Sequence, residues 1–535
     1  MEKHSEYQEK WKYMVFPFFL ALVEGGVSLL RRQDTNGDVW NYHLYNAYAW
    51  FNGRLGYDLG PAGAHSYLNP YLDSLFYFAI LHLNPFVVAF LFGFLQGLVA
   101  FPIMYIARFF IKDKIHQFVL TAICCFGSTF FIGELGSSMH DNLIAVPILM
   151  SFCCVLKAIA EKENKALIFS GLLIGAATGL KLTSALYIPV FLVLISLFYG
   201  RRIVGAFSFL SSSFLALMAS SGVWYYKLYT LFGNPLFPFF NNIFRSPYAS
   251  LDKNATRDMM FFQFHGLEKV IYPFYFADHI DRVVTASNDK AVVCYTALFC
   301  FVLFALYFAI KIAKFGFKSL LGSRDNILFL FFFLSFYVWQ YVFGVYRYFI
   351  PTDLICPIIF YVLIYEILNM QRTPVYEPGK KACWAAAVLV AVSFVKGVPD
   401  WGRGSYSHPY FEGNIPQEVK EADVLFNANF FSAWIVPVIN PQGHVIQINR
   451  GLFDFGTKKY WDIYYTYLPK NRTPTQYVLF NDPNDQVAKN WAITKFKEHY
   501  NMQIDFSSCK KFPVRLSSYK SDITYCSLSV NPGNA

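Results

Sequence analysis

Eleven near-continuous apolar runs divide this chain, at 14–31, 86–108, 117–133, 141–157, 166–181, 183–199, 203–222, 291–311, 326–345, 348–368 and 382–398. A helix of roughly 17–25 apolar residues crosses the hydrocarbon layer of a bilayer. In that layer every backbone N–H and C=O has to be satisfied within the protein, which leaves helices or closed barrels. The runs are continuous rather than alternating, so the expected fold is a polytopic α-helical membrane protein of about 11 transmembrane helices. Composition agrees: 55% of residues are hydrophobic and 15% charged, against about 25% charged in soluble domains. The first run is followed by Arg31 and Arg32 rather than by a small-residue cleavage site, so it reads as a retained span.

The formal charge of +10 sits mostly between the runs, where it orients the chain, and needs no nucleic acid to explain it. With the N-terminus inside, the inner loops hold Lys3, Lys10 and Lys12; Arg108, Lys112 and Lys114; and Lys157, Lys162 and Lys165. They continue with Arg201 and Arg202; Lys311, Lys314, Lys318 and Arg324; and Arg372, Lys380 and Lys381. An odd number of spans then puts the C-terminal tail outside. The domain reading is a membrane domain over 1–398, with external loops 32–85 and 223–290, and a soluble extracytoplasmic domain over 399–535. Two stretches of the first loop, 41–51 and 74–83, are aromatic and too short to span, and lying along the membrane interface suits them.

The tail reads as a compact α/β domain, with strand-like runs at 423–427, 433–439, 444–448 and 477–481 and a helical stretch at 485–499. Eight of the ten cysteines lie in or beside apolar runs, as small buried hydrophobes do. The other two, Cys509 and Cys526, stand alone in the tail. They pair as a disulfide if the tail lies outside the cytosol; two free buried thiols are the alternative.

Four constellations carry chemistry. Asp34 and Asp38 flank the turn Thr35-Asn36-Gly37; an acid at the mouth of a membrane cavity can serve as a general base or hold a metal ion, and solvated loop acids are the bland alternative. Glu134, His140 and Asp141 stand where the fourth span begins, where an Asp also serves simply as a helix cap. Lys181 interrupts an apolar, small-residue stretch, 171–189, where a lysine costs ~2.5–3.5 kcal/mol at the centre of a span unless it snorkels or is paired. Arg347 lies in Val345-Tyr-Arg-Tyr-Phe-Ile-Pro351, as a phosphate fork or an interface anchor. No P-loop, H-E-x-x-H or metal-type cysteine cluster occurs, and N-x-S/T triplets occur at Asn254 and Asn471.

From Asp38 the chain reads D-x-x-x-Y-x-x-x-N-A, through Tyr42, Asn46 and Ala47, with Gly53-Arg54 and Tyr57-Asp58 beyond. This resembles the first external loop of the GT-C superfamily of integral-membrane glycosyltransferases, in the group of the protein O-mannosyltransferases and lipid A aminoarabinose transferases. Asp141 is similar to the acid that starts a span after the family's second external loop. The L-K-L-T around Lys181 is similar to its L-T-K segment with the lysine shifted, and Arg347-Tyr348 to its late R-Y-x-x-P.

The resemblance implies a GT-C-like fold and transfer of a sugar from a polyprenyl-phosphate-linked donor to a lipid, glycan or protein acceptor, with inversion. Asp38 would be the base, with Asp34 and Asp141 the other acids of the catalytic set. Lys181 and Arg347 would meet the donor phosphate, and His140, Tyr42 and His43 would contact substrate. Asp141, His140 and Asp34 would position the base or hold a divalent cation; no other cofactor is implied. The location implied is the bacterial inner membrane, with the tail in the periplasm. The competing class is a transporter or flippase of lipid-linked saccharides, which would show sequence repeats and charges deeper in its spans. A third is a non-catalytic assembly protein.

Overall fold

The computed structural model describes the chain apart from residues 1, 257, 263, 278–281, 285–294, 317–324, 371–376, 396, 430–431, 449–454, 482–484 and 531–535. Lys318, Arg324, Arg372 and the start of the run at 291–311 therefore lie outside the described residues, as do the side chains of Lys3 and Lys10. The chain forms two compact units. The first comprises Met1–Arg31, Ala89–Ser221 and Met260–Trp401; the second comprises Arg32–Val88, Gly222–Met259 and Gly402–Ala535. The junction at 401/402 lies close to the expected boundary at 398/399, but much of the two segments read as loops of the membrane domain belongs to the same unit as the tail.

Every one of the apolar runs carries helix. Among the described residues, six helices are long and apolar enough to cross a membrane: Trp11–Leu30, Pro85–Phe110, Asp141–Glu161, Arg202–Phe232, Thr296–Phe315 and Asp325–Val342. Tyr346–Asp353 and Cys356–Asn369 make a seventh if the 51° bend between them lies within one span. Lys114–Gly127, Asn164–Leu180 and Leu182–Phe198 are apolar but shorter. The run at 117–133 is split at Ser128, whose hydroxyl caps a new helix, Thr129–Glu134, by accepting the Phe131 N–H. The helical membrane class is therefore supported, and among the described residues helix length and composition pick out six or seven of the eleven expected spans.

Small residues set how closely these helices pack. Gly171, Gly175 and Gly179 recur every fourth position of Asn164–Leu180, and a Cβ at Gly175 would lie 2.1 Å from the Ser213 carbonyl oxygen of Arg202–Phe232. Without a hydrophobic drive between helices in lipid, such close backbone approach is what holds them together. The first helix follows the same rule against Gly93 and Gly97, and there it buries an acid: Glu24 is fully enclosed, with its carboxyl in the notch opposite Gly97 and the Cys125 thiol as its polar neighbour. The reading of 14–31 as a plain apolar span passed over this residue.

In the second unit, β1 (Gln33–Asp34) pairs antiparallel with β2 (Arg403–Gly404). The larger sheet is built from β3 (Phe411–Gly413), β4 (Val424–Asn427), β5 (His444–Gln447), β6 (Gln476–Phe480), β7 (Met502–Ile504), β8 (Lys510–Leu516) and β9 (Tyr519–Val530). Their order is β3-β8-β9-β6-β4-β5, with β7 also on β9. β4 lies parallel to both β5 and β6, and the other pairs are antiparallel. With the helix Gln486–Lys495 this is the α/β domain expected.

The expected strand at 433–439 is instead a short helix, Ile435–Ile439. Pro437 lies within it, and proline cannot donate to a central ladder. The sequence reading missed the hairpin β8–β9, although Phe512, Val514 and Leu516 alternate inward as a strand requires. Ser517 makes its tight turn possible with φ +53°.

The core of this unit joins Phe426, Ile446, Val478 and Phe496 of the tail to Leu59 and Tyr67 of the first segment and Trp224 and Phe237 of the second. This corrects the interface reading of 41–51. The helix Leu44–Phe51 buries every residue from Leu44 to Ala49 inside the unit, because both of its faces are apolar or aromatic and both find partners. The stretch 74–83 does keep an exposed stripe, with Leu75, Phe78 and Leu81 on the outside of the helix Tyr71–His82.

Cys509 and Cys526 are bonded, closing a separation of 17 residues. Cys509→Ser is expected to lower the unfolding free energy of this unit by about 3 kcal/mol through the freed unfolded chain. Denaturant unfolding of the purified protein in detergent checks this, and a midpoint equal to wild type would show the bond to be dispensable.

Candidate active site

In the first unit, two cations far apart in sequence converge on one buried carboxylate. Asp141 opens the helix Asp141–Glu161. His140 before it is left-handed, with φ +63°, a conformation that costs a non-glycine residue roughly 1–2 kcal/mol. Such a turn aims the first residue of the helix, and backbone strain of this kind gathers at functional positions. Lys181 stands at the break between the helix Asn164–Leu180 and the 3-10 turn Leu182–Leu186, in extended conformation. Its ammonium lies 2.6 Å from Asp141 Oδ1 and donates to the Met139 carbonyl oxygen at 2.6 Å.

Arg347 comes from a second break, the 3-10 turn Tyr346–Phe349, and its Nε lies 3.7 Å from Asp141 Oδ2, an ionic contact rather than a hydrogen bond. Tyr348 offers its ring to both cations, at 5.6 Å from Lys181 Nζ and 5.3 Å from the Arg347 guanidinium.

The second break is itself held by polar side chains. Trp339 donates to the Val345 carbonyl at 2.6 Å, and Tyr346 donates to Asp353 Oδ1 at 2.9 Å. The Thr296 hydroxyl donates to the same Asp353 oxygen. Asp353 was missed by the sequence reading; the signal was an acid standing inside the apolar run 348–368.

The two basic side chains keep partial exposure, 17% for Lys181 and 16% for Arg347, beside a buried Asp141. Such a group can take a single anionic oxygen-bearing ligand. It does not suit a divalent cation on Asp141, whose charge two cations already share.

The remaining sequence candidates belong to the second unit. Asp34 is buried on β1 and closes a tight turn: its carboxylate accepts the Asn36 N–H at 3.1 Å and the Asn36 amide at 2.8 and 2.9 Å. These bonds tie Asp34 into the turn. Asn36 Oδ1 in turn accepts the N–H groups of Asp38 at 2.7 Å and Val39 at 3.0 Å, which fixes the backbone of Asp38 ahead of the π-turn Val39–His43 and leaves its side chain half-buried. Asn36 is the positioning residue of this turn, and only its place between the two acids hinted at that.

Tyr42 stacks on His65 with centroids 5.1 Å apart. His43 Nδ1 lies 2.5 Å from Asp73 Oδ1, both side chains buried. A carboxylate so placed fixes the tautomer and orientation of an imidazole. Asp73, on the helix Tyr71–His82, was not singled out from sequence.

Arg54 and Asp58, quoted above as part of the loop pattern, form a buried bidentate pair at 2.7 and 2.6 Å. Asp58 also accepts the Val445 N–H at 2.8 Å and the Tyr45 hydroxyl at 3.1 Å, while Arg54 donates to the Pro441 and Gly443 carbonyls. Burial pushes the Asp58 carboxyl up, and the guanidinium and its hydrogen bonds pull it back. This pair ties the first segment to β5 of the tail.

Asp141, Lys181 and Arg347 are thus brought into one cluster with His140 beside them, and Asp34, Asp38, Tyr42 and His43 fall within one short segment of the other unit. No known protein family matches the chain, and no curated protein is similar to it in sequence.

Proposed function

We propose that this protein is a GT-C-like glycosyltransferase with about eleven spans, which moves a sugar from a polyprenyl-phosphate-linked donor to an acceptor outside the cytosol, with inversion. The observation that supports it most is the ion cluster of Lys181, Arg347 and Asp141, drawn from breaks in apolar helices where an isolated charge would be costly. In this reading Lys181 and Arg347 stabilise the charge that builds on the lipid phosphate as the glycosidic bond breaks. Asp141 holds the two cations together until the donor arrives. Asp38, its backbone fixed by Asn36, takes the proton of the acceptor hydroxyl or amine as that group attacks the anomeric carbon. The Cys509–Cys526 bond supports a tail in an oxidising compartment, such as the bacterial periplasm, and hence an inner-membrane protein with its N-terminus in the cytoplasm.

A second reading, a flippase or transporter of lipid-linked saccharides, is favoured by two observations: the fully buried Glu24 within the first span and the bent pair Tyr346–Asp353 and Cys356–Asn369.

Transfer of radiolabel from a panel of polyprenyl-phosphate sugars into lipids, glycans and proteins separates them, with wild type beside Asp38→Asn. Label incorporated by wild type and lost in the variant is the expected result, and the labelled product names the acceptor. Equal labelling would remove Asp38 as the base. Flipping of the same lipids in liposomes with no transfer from any donor would replace the enzyme by the transporter.

A further inference from the structure

We propose that the carboxyl ends of β4, β5 and β6 in the second unit form a binding site for a neutral saccharide. The site stands apart from the transfer reaction above and does not rest on it.

The sequence marks the place. β4 is Val424-Leu-Phe-Asn427, the same four residues recur at Val478-Leu-Phe-Asn481 where β6 ends, and β5 closes on Gln447. Parallel strands covered on both faces ask for apolar residues along their length. An amide at or just past the end of each strand is not something the sheet needs. Asn427 lies opposite Gln447 in the register, and the two are 1% and 6% exposed.

The topology makes this end of the sheet the place for a ligand. The chain leaves β4 toward β5 on one side and leaves β6 toward β7 and β9 on the other, so the ends of β4 and β6 flank a reversal of strand order. Open α/β sheets hold their ligands in the crevice at such a reversal. Asn429 bridges it here: its amide donates to the Leu479 carbonyl at 3.1 Å, and its oxygen accepts the Asn481 N–H at 2.5 Å.

The cluster is oriented but unfinished. Asn427 Oδ1 accepts the Asn429 N–H at 3.3 Å, the Asn429 amide at 3.2 Å and the Ser432 hydroxyl at 2.9 Å. Three donors on one atom fix which end of the Asn427 amide is oxygen, and its Nδ2 is left without a partner. Gln447 donates through Nε2 to the Asn429 carbonyl at 3.1 Å, and its Oε1 has no partner. Trp434 Nε1 and Asn481 Oδ1 have none either, and Trp434 is 1% exposed. Buried polar atoms nearly always find a hydrogen bond, because leaving one unmet costs its full desolvation. Four such atoms on residues at or just past the ends of adjacent strands are groups whose partner comes from outside the chain.

The ligand class follows from what is unmet: two donors, Asn427 Nδ2 and Trp434 Nε1, and two acceptors, Gln447 Oε1 and Asn481 Oδ1. A hydroxyl donates and accepts, so the neighbouring hydroxyls of a sugar ring answer both kinds. None of the six side chains is ionisable, so the described cluster asks for no charge. Trp434, edge-on to Trp40 at 5.1 Å, adds an aromatic body beside the polar atoms, as ligand sites do. Asn481 is only half-buried, and there the cluster reaches the surface.

The test is saturation-transfer difference NMR of glucose, galactose, mannose and N-acetylglucosamine, with glucuronic acid as the charged probe. It uses full-length protein in lipid nanodiscs free of glycoside detergent, with empty nanodiscs as the blank. Asn481→Ala removes one unmet acceptor and keeps the backbone N–H that Asn429 binds, and Trp434→Phe removes one unmet donor and keeps an aromatic ring. The expected result is transfer to at least one neutral sugar, weakened about tenfold in Asn481→Ala, as for one lost hydrogen bond, with thermal unfolding as in wild type. Trp434→Phe is expected to weaken it likewise. If Trp434→Phe fails size exclusion, Asn481→Ala decides alone. No transfer to any neutral sugar overturns the proposal and leaves buried water as the partner of these atoms. Transfer equal to wild type in Asn481→Ala overturns it by placing the sugar elsewhere, and stronger transfer to glucuronic acid than to every neutral sugar overturns the ligand class.

Discussion

For the proposed glycosyl transfer, replacement of Lys181 by alanine is expected to lower the rate about 10²–10³-fold, the usual loss when one preorganised donor to a developing anion is removed. The variant removes more than a charge. Asp141 loses its 2.6 Å partner and keeps only Arg347 at 3.7 Å, and the Met139 carbonyl loses its donor. Initial rates over a range of donor concentration tell the two roles apart. A fall in kcat with KM nearly unchanged means that Lys181 acts on charge that appears as the bond breaks. A rise in KM with kcat retained means that it only holds the donor. Lys181→Arg should recover part of the activity, because charge is restored while the compact ammonium between Asp141 and Met139 is replaced by a wider planar fork. Transfer by Lys181→Ala at the wild-type rate would remove the cluster from the reaction.

How far this site could be read from sequence depended on the type of signal. Charges inside apolar runs stand out because the membrane makes them expensive, and Lys181 was visible for that reason. Its partners were visible as residue types at span ends, but their convergence was not. Nothing in local spacing says that the start of Asp141–Glu161, the break at Lys181 and the turn at Arg347 meet.

The acids that the reading passed over, Glu24, Asp73 and Asp353, lie in or beside apolar stretches. Glu24 and Asp353 sit in stretches so apolar that each run was read as uniform, and Asp73 stands just ahead of the stretch 74–83, although a buried acid is the more informative residue there. In the tail, β4, β5 and β6 were legible because their apolar runs are buried in a mixed sheet. The hairpin β8–β9 was hidden by the exposed Lys510 and Lys511 ahead of Phe512 and by Pro513 and Arg515 between Phe512, Val514 and Leu516. The helix Leu44–Phe51 misled because an aromatic stretch too short to span suits an interface and a core equally; only the presence of the tail's core partners decides between them.

Arg54→Met is expected to destabilise the second unit by about 3–5 kcal/mol, the range for removing one member of a buried ion pair. Asp58 would keep the Val445 N–H and the Tyr45 hydroxyl but lose both bonds from the guanidinium, inside a fully enclosed site. The Pro441 and Gly443 carbonyls would lose their donor in the same step. The pair itself need not be strongly stabilising, since desolvating both charges offsets much of their attraction. The double variant Arg54→Met/Asp58→Leu is therefore expected to be more stable than Arg54→Met alone, because no charge is left stranded. Thermal unfolding of wild type, both single variants and the double variant in one detergent measures the coupling. Additive losses across that cycle would mean that the two side chains act independently. In that case the tie between the first segment and β5 rests on the backbone contacts of Leu59 with Val445 and Gln447 rather than on the ion pair.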